Sequence, residues 1–157
     1  FICGATARMP VHSLIFINPA GSVIYSKYFQ DTATSDYRLF FEQQLFKQTS
    51  PTWNRVSSVP STVSIADVHV VYQTIGDMIV FASGTDDVDE SILIEVLATI
   101  EKVLLDVLDQ KSISEAQFLI PDNYGKFVIS VDDMMSQGII ETFDAGLIGK
   151  LSKLKPL

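Results

Sequence analysis

Hydrophobic and polar positions along the chain change period several times, and each change marks an element. Residues 13–17 are a short apolar run closed by Asn18-Pro19-Ala20-Gly21, and residues 22–29 are rich in β-branched and aromatic side chains. This predicts an opening β-hairpin. From Ser35 the period lengthens, so that Tyr37, Phe40, Phe41, Gln44, Leu45 and Gln48 mark one helical face, with Ser35 or Thr34 as cap. Residues 49–62 hold Ser, Thr, Asn and two prolines around Trp53, the composition of a connecting loop. Residues 63–73 and 78–83 read as strands, and Gly76-Asp77 between them suits a tight hairpin. With the first hairpin they predict a mostly antiparallel sheet of about five strands.

The strongest periodic signal follows the acidic stretch Asp86, Asp87, Asp89 and Glu90. Leu93, Val96, Leu97, Ile100, Val103, Leu104, Val107 and Leu108 recur at three- and four-residue spacing. Ile92, Ile94 and Leu105 widen this stripe, which predicts a long helix buried on more than one side, with Asp89 as N-cap. Residues 124–137 alternate in part like a strand, but Tyr124, Phe127, Val128, Val131, Met134 and Met135 fit a helix better. Asp122 or Asn123 would cap that helix and Gly138 would end it. Residues 145–153 form a last, weaker helical pattern.

Composition narrows the class. The chain of 157 residues is 47% hydrophobic and 19% charged, which suits one compact domain and excludes a disordered segment. Its 11 basic residues against 19 acidic ones leave a net charge of −8, which repels phosphate backbones and argues against nucleic acid as a partner. The longest apolar run, residues 78–82, is far short of the roughly 20 residues of a membrane span. Cys3 is the sole cysteine and cannot form an internal disulfide, which favours a reducing compartment such as the cytosol. Ala5-Thr6-Ala7 resembles a signal-peptidase site, but residues 1–4 are too short for its apolar core. With Phe1 in place of Met, a longer precursor is compatible with the sequence.

Candidate chemistry is sparse. His12 and His69 are not within metal-ligand spacing of each other or of Cys3, and they read as packed or solvated structural residues. No nucleophile-elbow pattern accompanies the serines, and the eight glycines form no phosphate-binding spacing. The acids at 86–90 lack the alternation and central glycine of a calcium loop, so they read as a solvated helix start. Asp132 and Asp133 are adjacent, and on a helix they diverge by about 100° and cannot face one substrate. The sequence therefore predicts no catalytic, cofactor-binding or metal-binding residue, and no particular partner-binding residues. The very apolar long helix is the one interaction feature, either as core or with part of it against a partner subunit.

Several ordered segments carry a resemblance. Lys27-Tyr28-Phe29 closes the opening hairpin; Phe41-Glu42-Gln43-Gln44-Leu45-Phe46-Lys47-Gln48-Thr49-Ser50 lies in the first helix; Val70-Val71-Tyr72 lies in a strand. Gly84 precedes the acids and Glu90, and Val131-Asp132-Asp133-Met134-Met135 is followed by Gly138 and Glu141-Thr142. In order and spacing these resemble the longin-type small subunits of vesicle coats, the coatomer zeta and clathrin adaptor sigma family, with the zeta branch closest. The likeness covers residues 11–150.

The resemblance implies an α+β longin (SNARE-like) fold, a five-stranded antiparallel sheet flanked by helices, with residues 11–154 as one domain and 1–10 as an extension. It implies a non-enzymatic subunit without cofactor, packed on the helical-repeat trunk of a large subunit resembling gamma-coatomer, alongside other coat subunits. It places the chain in the cytoplasm, peripheral on Golgi membranes and transport vesicles through the complex, in Golgi-to-ER and intra-Golgi transport. Where the sigma branch has an apolar run that contributes to dileucine binding, this chain has Pro121-Asp122-Asn123. The alternatives are a sigma-like subunit of a clathrin adaptor or of a plasma-membrane adaptor-like complex of the TSET or TPLATE type, and a longin regulator of GTPases or SNAREs.

Overall fold

The computed structural model describes residues 11–29, 34–55, 59–85, 88–108, 113–136 and 139–140. Strands β1 (Val11–Ile17) and β2 (Val23–Tyr28) form the opening hairpin. Helix α1 (Ser35–Thr49) and a short 3-10 helix (Ser50–Arg55) lead into β3 (Ser61–Ile65), β4 (Val68–Ile75) and β5 (Met78–Gly84). Then come α2 (Glu90–Leu108), the single turn α3 (Glu115–Phe118), α4 (Pro121–Met134) and a two-residue ladder of β6 (Met135–Ser136) with β7 (Ile139–Ile140).

The main sheet has the order β2-β1-β5-β4-β3, and every neighbouring pair is antiparallel. Every residue of β1 and β5, two of the three inner strands, is buried. Successive side chains of a strand point to opposite faces, so both faces of this sheet are apolar and both need cover. On one face Ile15, Ile17, Val70, Tyr72, Ile79 and Phe81 pack with Phe41 and Leu45 of α1. On the other, Leu14, Phe16, Val71, Met78, Val80 and Ala82 pack with α2, α3 and α4.

Helix α2 buries all eight residues of the expected stripe, and Thr99 with them. The backbone amide of Ser91 donates to Asp89 Oδ1 at 3.1 Å, so Asp89 caps the helix as its position indicated. The expected extra breadth is only partly realised: Ile92 packs against the core, whereas Ile94 and Leu105 are exposed. Thr34, of the two candidates, caps α1, its side chain accepting from the Tyr37 amide. The face of α1 is narrower than expected, with Phe41, Leu45 and Thr49 buried and Phe40 exposed. Only one stripe of a helix lying flat on a sheet can reach it.

Residues 63–73 are not one strand. Ala66 and Asp67 turn the chain back, and Ile65 pairs with Val68 across the turn. Ala66 has φ of 54°, at the turn position where glycine is usual. No Gly, Pro or Asn marks the reversal, which is why the sequence hides it. The loop around Trp53 is partly helical, and the indole donates to Thr49 Oγ1 at 2.9 Å. Helix α4 begins at Pro121, so Asp122 and Asn123 lie in its first turn instead of capping it. Proline suits that first position because its missing N–H has no helical partner there. The single turn α3 carries no periodic signal. Its Phe118 is fully buried among Phe16, Tyr25, Tyr124 and Phe127, with ring centroids 5.2–6.4 Å away. Gly138, Glu141-Thr142, the pattern at 145–153, Asp86-Asp87 and Cys3 lie outside the described residues.

The turns at one end of the sheet hold α3 in place. Asp77 accepts from the Glu115 amide at 2.6 Å, and Asn18 donates to Glu115 Oε2 at 3.1 Å. Gly76 has φ of 64°, and a Cβ there would collide with the Ile113 carbonyl. Two substitutions are therefore expected to act in opposite directions in thermal unfolding. Ala66→Gly should stabilise by about 0.5 kcal/mol by relieving the left-handed conformation. Gly76→Ala should destabilise by about 2 kcal/mol or more through strain and collision.

Candidate partner-binding surfaces

The titratable residues singled out in the sequence do not converge. Among the described residues no group of three or more His, Cys, Asp or Glu side chains is placed to hold a metal. Asp89 is spent on the helix cap, and Asp132 pairs with Lys27 at 3.1 Å on the surface. His12 is the chemically distinctive residue. The register of β1 against β5 slips between Val11 and Ser13, and His12 is the extra residue at that bulge.

The slip seats the His12 ring 4.8 Å from the Phe41 ring, with Tyr28 and Tyr37 edge-on to it. Its Nε2 is 2.8 Å from the Tyr37 hydroxyl and its Nδ1 is 3.0 Å from Ser13 Oγ. Burial lowers the imidazole pKa from 6.5 to about 4, and Asp67 only partly opposes this. The ring is therefore neutral near pH 7. Beside it the Tyr28 hydroxyl donates to Glu42 Oε2 at 2.8 Å, with the Arg38 guanidinium over the ring at 4.9 Å. Burial and the hydrogen bond to Glu42 push the Tyr28 pKa up. These contacts fasten the start of α1 to the sheet. The Ser13 hydroxyl beside the imidazole is fully buried, and the role of these contacts is positioning.

Part of what α1 leaves outside is apolar. Leu39, Phe40 and Phe46 are 57%, 53% and 42% exposed, too much for core residues. Leu39, Glu42, Gln43 and Phe46 line a groove of about 370 Å3 whose other wall is Ile17 and Val23 of the hairpin. A second groove, of about 440 Å3, lies between Phe46, Trp53, Ile79 and Asp77. Phe46 belongs to both. Its ring is edge-on to Trp53 at 5.3 Å and lies so close to Gly21 that a Cβ there would be 2.6 Å from it. No Lys, Arg or His is among the described residues that line either groove, while Glu42 and Asp77 are.

The second surface is the outer side of α2, where Ile94 and Leu105 are 41% and 37% exposed with Ala98 between them. Sequence reading allowed an unspecified part of the long helix for a partner and counted Ile94 and Leu105 toward its buried breadth. The α1 grooves were not foreseen. Leu39 and Phe46 lie off the buried stripe of α1, and large apolar residues on the polar side of a helix were the available signal.

The family described as clathrin adaptor complex small chain matches residues 10–155. TSET complex member tstD from Dictyostelium discoideum is 26% identical over 149 residues, covering 92% of this chain and 93% of the relative. Coatomer subunit zeta-3 from Arabidopsis thaliana is 26% identical over 144 residues, covering 90% of this chain and 77% of the relative. A chain of the AP-3 complex, from a homology model of the full-length complex in a stretched open conformation, superposes with a TM-score of 0.61. At 13% identity over 92% of both chains, that likeness establishes a shared fold.

The buried imidazole has a measurable consequence. Its folded-state pKa lies below the unfolded value, so its contribution to stability is complete above pH 6.5 and is lost as pH falls toward 4. Denaturant unfolding between those pH values should show a loss of as much as about 3 kcal/mol from this group. The variant His12→Gln, which cannot titrate, should remove that part of the pH dependence while other acid-linked losses remain.

Proposed function

The chain belongs to the clathrin adaptor complex small chain family, and from that premise we propose that it is a non-enzymatic small subunit of a cytosolic vesicle coat, packed on the helical-repeat trunk of a large subunit. The match of the family to residues 10–155 carries this reading. Residues 11–154 then act as one longin-like domain, preceded by the extension 1–10. Attachment to membrane comes through the rest of the complex. The net charge of −8 disfavours direct contact with anionic lipid, and no helix among the described residues is long and apolar enough to cross a bilayer.

Two complexes fit this role. One is coatomer on Golgi membranes and transport vesicles, with a gamma-coatomer-like large subunit, supported by the zeta-3 relative and by the motifs from Lys27 to Glu141. The other is a TSET-type adaptor complex at the plasma membrane. One observation favours the second: at equal identity the chain matches 93% of tstD but 77% of zeta-3.

Purification of the tagged chain from its native cytosol should recover a large helical-repeat subunit, whose sequence then separates coatomer from a TSET-type complex. Recovery as a lone monomer would overturn the proposal, and nucleotide-dependent capture of a GTPase without coat subunits would replace it with the longin regulator. Because the outer side of α2 is open, the double variant Ile94→Asp, Leu105→Asp should weaken capture of the large subunit tenfold or more. Its thermal unfolding should stay near that of the parent, since neither side chain is buried.

A further inference from the structure

The apolar residues on the outer side of α2 belong to a row. Ile94, Ala98 and Leu105 are exposed and Glu101 is partly buried, and their steps of four, three and four residues keep all four on one side of the helix. The row is about 16 Å long, three turns of helix. Ile94 and Leu105 stand at its ends, and the small side chain of Ala98 leaves the middle low, where a second helix can approach closely.

The charge along the row has one sign. Helix α2 contains Glu90, Glu95, Glu101 and Asp106, against Lys102 as its single basic residue. A solvated helix offsets an acid with a lysine four residues on. The positions four residues after Glu90 and Glu101 hold Ile94 and Leu105 instead, and Lys102 is so spaced from Asp106 alone. Among the described residues the ion pairs join Lys27 to Asp132 and Lys126 to Asp122, so no cation of the chain is committed to Glu95 or Glu101. Both the apolar row and the acids beside it therefore lack a complement within the domain.

We propose that the large-subunit element seated on α2 is a helix that lies along this row, with an apolar seam over Ile94, Ala98 and Leu105 and with lysines or arginines facing Glu95 and Glu101. The partner rests on the coat-subunit role proposed above; its chemistry follows from α2. Burial of the seam holds the two helices together, and the charges select the partner, because a helix with acids at those places is repelled. The net charge of −8 further favours encounter with a basic surface.

Capture of the co-purified large subunit by the tagged chain tests both features. At about 50 mM NaCl the double variant Glu95→Lys, Glu101→Lys should weaken capture about tenfold or more, and at about 500 mM the difference should shrink severalfold as salt screens exposed charges. Glu95→Gln, Glu101→Gln should fall between this variant and the parent. The triple variant Asp36→Lys, Gln43→Lys, Gln48→Lys adds the same net charge on α1, across the sheet, and should stay within about twofold of the parent. All should unfold near the parent temperature. Capture unchanged or strengthened by the α2 substitutions, or weakened as much by those on α1, would overturn the proposal. In a Cys3→Ser background, benzophenone attached at Ser91→Cys and at Lys102→Cys should mark one helix of the large subunit at two sites about 11 residues apart. Marks in two separate segments, or on a second copy of this chain, would reject the helix. A parent that recovers no large subunit overturns the coat-subunit role and this partner with it; recovery of the large subunit with any contrary result above overturns the basic helix alone.

Discussion

The structure depends on a pair of neighbouring strands that are buried on both faces. β1 and β5 are adjacent in the sheet although α1 and three strands separate them in sequence, and all of their residues are buried. A sheet with one wet face could dispense with half of the helices here. This one cannot, since each strand carries apolar residues at both parities. Helix α1 must lie on one side and α2 with α3 and α4 on the other, and the order of the elements follows from that need.

The two sides are covered unequally. Helix α2 is apolar over most of its circumference and fills its side, together with an aromatic cluster centred on Phe118. Among the described residues the other side carries helix α1, with Trp53 of the 3-10 helix beside it, and the buried stripe of α1 is only Phe41, Leu45 and Thr49. It is held instead by polar and aromatic contacts at its start, through His12, Tyr28, Tyr37 and Glu42. Beside it the described residues leave the pair of grooves around Phe46. A small domain with a sheet covered well on one side and thinly on the other is suited to life as a subunit, where further chain completes the packing.

Function of this kind leaves few marks on single residues. Catalysis requires convergent groups whose types and spacing can be sought in a sequence, and three of the titratable residues singled out there have structural roles. Asp89 is a helix cap, Asp132 is an ion-pair partner, and His12 is a neutral packing residue. The residues proposed for binding, Ile94 and Leu105, are ordinary apolar side chains marked out by their exposure. The ordered motifs from Lys27 to Glu141 identified the family because they record a whole fold, and no one of them carries the function.

The sequence by itself determined the elements with strong local period. These were the opening hairpin, the stripe of α2 with its Asp89 cap, the helical character of α4, and the antiparallel α+β class. Those features rest on contacts between near neighbours, where side-chain direction follows from spacing alone. Tertiary structure decided the rest. The reversal at Ala66 is forced by the pairing of β3 on β4, which holds a non-glycine residue at positive φ that local preference would not choose. Phe118 is central only because the turns at Asn18 and Asp77 grip Glu115, bringing a signal-free turn beneath the sheet. Whether Leu39, Phe46, Ile94 and Leu105 are core or surface is a matter of what lies against each helix, and that is a property of the packed molecule, set by which stripe of a helix can reach the sheet.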